Sequence, residues 1–202
     1  MTKRSFWLLA VCMNVLLFIA CSKIPEPRYY SLELNVLQES MDIKYDVLYI
    51  RSFDASLLFN VDKFVYRTSP YEVKFDNYRR WVLSPSLLLT EIAASYFRES
   101  GLFERVTLDM PKDETGLVLF GYIFRFEEVA YETERQVIAH FDFEIHELPG
   151  RSLLLSKSIK RRMPVNGTET EDILRAMSKA VQGIFEELAD EMQQIKSQTS
   201  GE

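Results

Sequence analysis

The side chains best equipped for chemistry fall on one stretch, where His140, Asp142, Glu144 and His146 recur at every second position. Imidazoles and carboxylates are ordinary ligands of zinc and related ions. On an extended strand alternate residues lie about 7 Å apart, so the two histidines stand about 20 Å apart. Four such ligands cannot converge on one tetrahedral ion, and a solvated sheet face is the expected role. No metal site is expected. The adjacent acids Glu127-Glu128 and Glu186-Glu187 raise a second chemistry, paired carboxylates for general acid–base work. Neighbours on a strand point to opposite faces and neighbours on a helix about 100° apart, so both pairs read as surface charge. The sequence holds no G-x-S-x-G elbow, no G-x-G-x-x-G and no phosphate-binding loop. No catalytic residue and no cofactor are expected, and the chain reads as a protein that is not an enzyme.

Cys21 is the remaining reactive group. Lys3 and Arg4 precede an apolar run from Phe6 to Ala20, broken only by Asn14. A charged start followed by roughly 7–15 apolar residues is the form of a secretory signal. A membrane-spanning helix needs about 20 apolar residues, and this run stops at Cys21-Ser22. Phe18-Ile19-Ala20-Cys21 resembles the lipobox of bacterial lipoproteins, with phenylalanine where leucine is usual. The resemblance implies that the Cys21 sulfur takes up a diacylglycerol before the leader, residues 1–20, is removed. Cys12 lies inside the leader, so Cys21 would be the only cysteine left, which excludes an internal disulfide. Each buried methylene contributes about 0.8 kcal/mol of anchoring, so two or more acyl chains hold stably. The expected partner of this end is therefore a membrane, reached through a lipid anchor. Ser22, where aspartate would mark inner-membrane retention, implies the outer membrane with the domain facing the periplasm.

The whole chain has 202 residues, 47% hydrophobic and 27% charged, enough for one folded domain with a core. Losing Lys3 and Arg4 with the leader takes the net charge from −6 to −8. Basic residues are mixed among acids, without the stripe that nucleic acid or anionic lipid requires, so no nucleic-acid partner is expected.

Residues 21–28 read as the lipidated cysteine and a short tether, kept extended by Pro25 and Pro27. The single domain spans 29–196, followed by a frayed tail at 197–202. Within it, Tyr29 to Leu34 and Asp46 to Phe53 have strand character. Lys63 to Thr68 and Tyr71 to Phe75 flank the turn signal Ser69-Pro70 and form a hairpin. From Ser86 to Ser100 the apolar period becomes helical, with Pro85 ahead and Gly101 behind. Phe103 to Asp109, Gly116 to Val129, Arg135 to Leu148 and Ser152 to Met163 resume strands. Asn166-Gly167-Thr168 turns the chain, Thr168 to Glu171 has capping-box form, and a long amphipathic helix follows. The expected fold class is α+β, a two-layer α/β sandwich. Its sheet is mostly antiparallel or mixed, with both amphipathic helices on one face.

Phe59, Phe64, Tyr66, Tyr71, Phe75, Tyr78 and Trp81 crowd into 23 residues beside Arg67, Arg79 and Arg80. Aromatics with arginines are typical of protein interfaces, and Tyr66, Arg67, Arg79, Arg80 and Trp81 are the candidate partner-binding residues. The same stretch carries a family resemblance. Phe64-Val65-Tyr66-Arg67-Thr68-Ser69, then Tyr78-Arg79-Arg80-Trp81, Ser84-Pro85 and a helix ending in Ser100-Gly101-Leu102-Phe103 resemble the ABC-type transport auxiliary lipoprotein component family. Arg28-Tyr29-Tyr30-Ser31-Leu32 is similar too, and Pro85 is followed here by Ser86 where that family often has leucine. The resemblance implies a non-catalytic outer-membrane lipoprotein, a docking part of an ABC-type lipid transport system that moves lipid between membranes. It implies a mammalian-cell-entry family protein as partner, and a homo-oligomeric ring is compatible with it. A lipoprotein that assembles or plugs an outer-membrane β-barrel is the alternative role.

Overall fold

Two runs with a period of two residues set the architecture. Val137, Ala139, Phe141, Phe143 and Ile145 are all buried, and His140, Asp142, Glu144 and His146 between them reach solvent. That alternation makes a strand with one dry face, and the chain around it completes a nine-stranded sheet. The computed structural model describes residues 25–35, 45–109, 115–131 and 134–199. The leader and Cys21 lie outside these residues. In chain order the strands are β1 (Arg28–Tyr30), β2 (Tyr45–Ile50), β3 (Asp54–Ala55), β4 (Lys63–Arg67) and β5 (Val73–Trp81). After helix α1 (Pro85–Glu99) come β6 (Phe103–Thr107), β7 (Gly116–Val129), β8 (Gln136–Leu148) and β9 (Ser152–Pro164), then helix α2 (Thr170–Thr199).

Strands β7, β8 and β9 form an antiparallel meander, paired from Gly116↔Leu148 to Val129↔Gln136 and from Gln136↔Pro164 to Glu147↔Ser152. The other edge of β7 is shared in chain order by three short parallel partners: β2 at Leu48↔Leu117, β3 at Asp54↔Tyr122 and β4 at Tyr66↔Glu128. Outside β2 lies β6, parallel; outside β4 lies β5, antiparallel, and beyond it β1, parallel. The sheet is mixed, and the class is α+β as expected. Two local features make this edge work. Phe53, between β2 and β3, lies over Gly121, where a Cβ would stand 2.6 Å from the ring. A register shift between Ile123 and Arg125 leaves Phe124 as an extra residue. Beyond that bulge the alternation reverses: Arg125 and Glu127 face away from the helices, and Phe126 and Glu128 face them.

Both helices cover one face. Leu88, Leu89, Ala93 and Phe97 of α1 and Ile173, Met177, Ile184, Phe185, Leu188 and Met192 of α2 share one core with the sheet. Tyr96 and Phe97 meet Phe185 at ring distances of 5.6 and 6.1 Å, joining the two helices. Gly101, at φ 72°, reverses the chain after α1, as a glycine past a helix end does. No helix among the described residues is long and apolar enough to cross a membrane.

Two local expectations are corrected. Only Arg28–Tyr30 of the first strand candidate pairs with the sheet. Residues 31–35 leave it and pass between the helices as a strap. Leu32 and Leu34 line one groove with Leu88, Ile92 and Tyr96 of α1. On the other side the Glu33 and Asn35 N–H groups donate to Ser178 Oγ and Gln182 Oε1 of α2, both at 3.3 Å. The start of α2 is capped one residue later than expected. The Glu169 N–H donates to Asp172 Oδ2 at 3.2 Å, so Asp172, three residues on, does what Glu171 was expected to do. The same carboxylate occupies the space beside Gly167 (φ 132°) where a Cβ would sit.

Candidate functional site

The candidate partner-binding residues meet where β4, β5 and β7 run side by side. Their environment is set by Glu127 and Glu128, two acids whose adjacency predicts surface charge. Glu127 is fully buried and Glu128 is 2% exposed. Neighbours on a strand, they do face opposite sides of the sheet, and the bulge decides which. The correction concerns burial: charge is tolerated there because each carboxylate is held by two guanidinium groups.

On the face away from the helices, Glu127 Oε1 accepts from Arg67 Nε at 2.9 Å and Arg125 Nε at 2.7 Å, with Arg125 Nη2 also in contact. Its Oε2 has no hydrogen-bond partner among the described residues. On the helix side, Glu128 accepts from Arg79 Nη1 at 3.4 Å and from Arg135 Nε. Arg135 Nη1 also donates to the Thr168 carbonyl at 3.2 Å, tying the β9–α2 turn to the cluster. Arg79 is fixed from three sides. Its Nε donates to Asp76 Oδ2 at 2.7 Å, and its guanidinium lies over the rings of Phe64 and Tyr66 at 5.6 and 5.9 Å. Asp76 Oδ1 accepts the N–H groups of Tyr78 and Arg79, both at 2.8 Å, which bends the middle of β5. Burial alone pushes the Asp76 carboxyl up, but the N–H groups of Arg79 and Tyr78 and the Arg79 guanidinium outweigh it and hold the carboxyl below its ordinary range.

Trp81 is a core residue, 1% exposed, stacked on Phe64 at 4.0 Å and on Phe126 at 5.3 Å. Arg80 points the other way and donates to Asp62 Oδ2 at 2.9 Å. Tyr66 and Arg67 are half-buried. The aromatic crowd of the sequence thus divides: Phe59, Phe64 and Trp81 are buried, while Tyr71, Phe75 and Tyr78 are exposed. Arg67 and Arg125 line a cleft of about 440 Å³ with Phe124, Leu58, Pro70 and Tyr131. The lining sets guanidinium edges beside apolar walls.

The strand face of β8 holds two separate local pairs. His140 Nε2 lies 2.8 Å from Ser158 Oγ, which donates to Asp142 at 2.5 Å; His146 Nε2 lies 2.9 Å from Glu144 Oε2. Each imidazole meets an exposed ring of β7 edge-on at 5.2 Å, Phe124 and Phe120 respectively. Among the described residues no group of three His, Cys, Asp or Glu side chains is placed to hold a metal ion.

Arg125, Arg135 and Asp76 were not singled out in the sequence. The signal was available in part: Glu127-Glu128 interrupts an apolar strand ending in Val129, and Arg125 precedes Glu127 by one alternation.

This architecture belongs to a known class of small α+β domains. The chain is similar to protein XCC0632 from Xanthomonas campestris, of family-model DUF330, with 16% identity and a TM-score of 0.74, covering 87% of this chain and all of that one. It is also similar to a solved uncharacterized protein, with 11% identity and a TM-score of 0.69, covering 83% of this chain and 99% of that one. At these identities the likeness is one of fold. No family model matches the sequence, and no curated protein matches it.

Proposed function

We propose that the chain is a non-catalytic lipoprotein, held in the outer membrane through Cys21 and facing the periplasm. In this reading it serves as a docking component of an ABC-type intermembrane lipid transport system. Its partner is a mammalian-cell-entry family protein, and its working form is a homo-oligomeric ring. One observation carries the reading. The two segments that give the family resemblance, Phe64 to Ser69 and Tyr78 to Trp81, fold onto each other. They lie on the paired strands β4 and β5, with Trp81 on Phe64 and Arg79 over Phe64 and Tyr66. A physical contact joins them, which explains why such residues occur together at this spacing. The lipid-transport role itself comes from the resemblance.

The test is crosslinking of the intact tagged chain in its own cells, with Cys21→Ala as control. Recovery of a mammalian-cell-entry protein that depends on Cys21 is the expected outcome. Recovery of a β-barrel protein alone overturns the docking role and favours the barrel-assembly alternative.

A further inference from the structure

Exposed apolar side chains gather at one rim of the sheet. Tyr29, Val61, Tyr78, Val82 and Leu83 are between 37% and 59% exposed, and all surround the pairing of β1 with β5. Tyr29 stands opposite Arg80 in the register, and Tyr78 and Val82 lie two residues to either side of Arg80. The Val82 N–H donates to the Tyr30 carbonyl at 3.0 Å, and the Trp81 N–H to the Asp62 carbonyl at 2.7 Å, which brings Val61 alongside. The cations here are largely occupied: Arg80 by Asp62, and Lys63 by Asn77. What this rim presents outward is two phenols and three aliphatic chains, flanked by exposed Arg28 and Asn77.

Single exposed apolar residues are normal. These five are set apart by where the chain enters. Pro25 to Pro27, all exposed, lead straight into β1 at Arg28. Cys21 is seven residues upstream of Arg28, a reach of at most about 25 Å. A domain of this size has a radius of gyration of about 16 Å, so a lead of this length keeps β1 within about one and a half radii of whatever holds Cys21. Tyrosine suits the headgroup level of a bilayer, and valine and leucine suit the acyl boundary beneath.

We propose that the rim formed by Tyr29, Val61, Tyr78, Val82 and Leu83 is a membrane-contact surface, seated on the bilayer that holds the chain by Cys21. This rests on the lipid-anchor reading, and the two are tested separately. The intact mass of the chain purified from membranes reports acylation of Cys21. The rim is tested whatever that mass shows, because an unmodified Cys21 thiol couples to a maleimide headgroup and holds the chain at the same point. Tyr29→Trp, Val82→Trp and, on β7, three strands across the sheet from β1, Tyr122→Trp are each placed on vesicles of phosphatidylethanolamine and phosphatidylglycerol with brominated acyl chains. Buried Trp81, and Trp7 wherever the leader is retained, are common to all three. The added emission of Tyr29→Trp and Val82→Trp is expected to be quenched at least about twofold more than that of Tyr122→Trp. Equal quenching at the three positions, or strongest quenching of Tyr122→Trp, overturns the proposal.

Discussion

Glu127 makes all its hydrogen bonds through one oxygen, to two arginines on different stretches of the sheet. Arg67→Ala and Arg125→Ala each leave the other guanidinium in place, and each should cost about 1 kcal/mol. The double variant strands a fully buried carboxylate, for which the expected cost is about 3–5 kcal/mol. Denaturant unfolding of the three variants measures the excess over additivity, and simple additivity would show that water reaches the carboxylate. His140 gives a pH-dependent prediction. Burial lowers its pKa below 6.5, with Lys160 and Arg125 adding to the effect and Asp142 opposing it. A histidine with a depressed folded pKa adds stability above the unfolded value, and that stability is lost as pH falls toward the folded value. The melting temperature should therefore drop on acidification below pH 6.5, and His140→Gln should flatten that part of the profile. Asp76 acts in the same direction at lower pH, since its carboxyl lies below the ordinary 3.8. Arg67 and Arg79 are legible in the sequence as site residues; Arg125, Arg135 and the buried state of the carboxylates they hold are not. Adjacent glutamates resemble solvated charge unless the strand around them is known to be covered on both sides.

Helix and strand periods were easy to read because one face of each element is continuous core. Strand β8 and both helices follow their sequence patterns closely. The strap did not, because Tyr30, Leu32 and Leu34 alternate as a strand would; the difference is that Glu33 and Asn35 find partners on α2. The bulge was equally hidden, since Ile123-Phe124 offers no glycine or polar break. Gly121 shows how tightly this part of the sheet is built. Gly121→Ala forces a Cβ into the Phe53 ring, and the expected loss is about 1–3 kcal/mol by thermal or denaturant unfolding. Combining it with Phe53→Leu should recover part of that loss. No recovery would mean that the clash is not what makes glycine necessary at this position.

As a whole the molecule is a mixed sheet with its helices on one side, its Glu–Arg clusters at one end and its chain entry at the β1 rim. The candidate docking residues and the β1 rim meet at Arg80, which pairs with Tyr29, but crosslinking and quenching read different contacts and can fail independently. The way the chain enters also sets how the domain bears force. Tension arriving through the tether runs along β1, whose three residues are paired in parallel with β5. Hydrogen bonds between strands lie across such a pull, so they are sheared together and do not open one by one. Once they yield, the load passes to the strap, and Leu32 must leave the core before any of the β7–β8–β9 meander is strained. A pull through the tether is therefore expected to load the three β1–β5 residue pairs before the β7–β8–β9 meander.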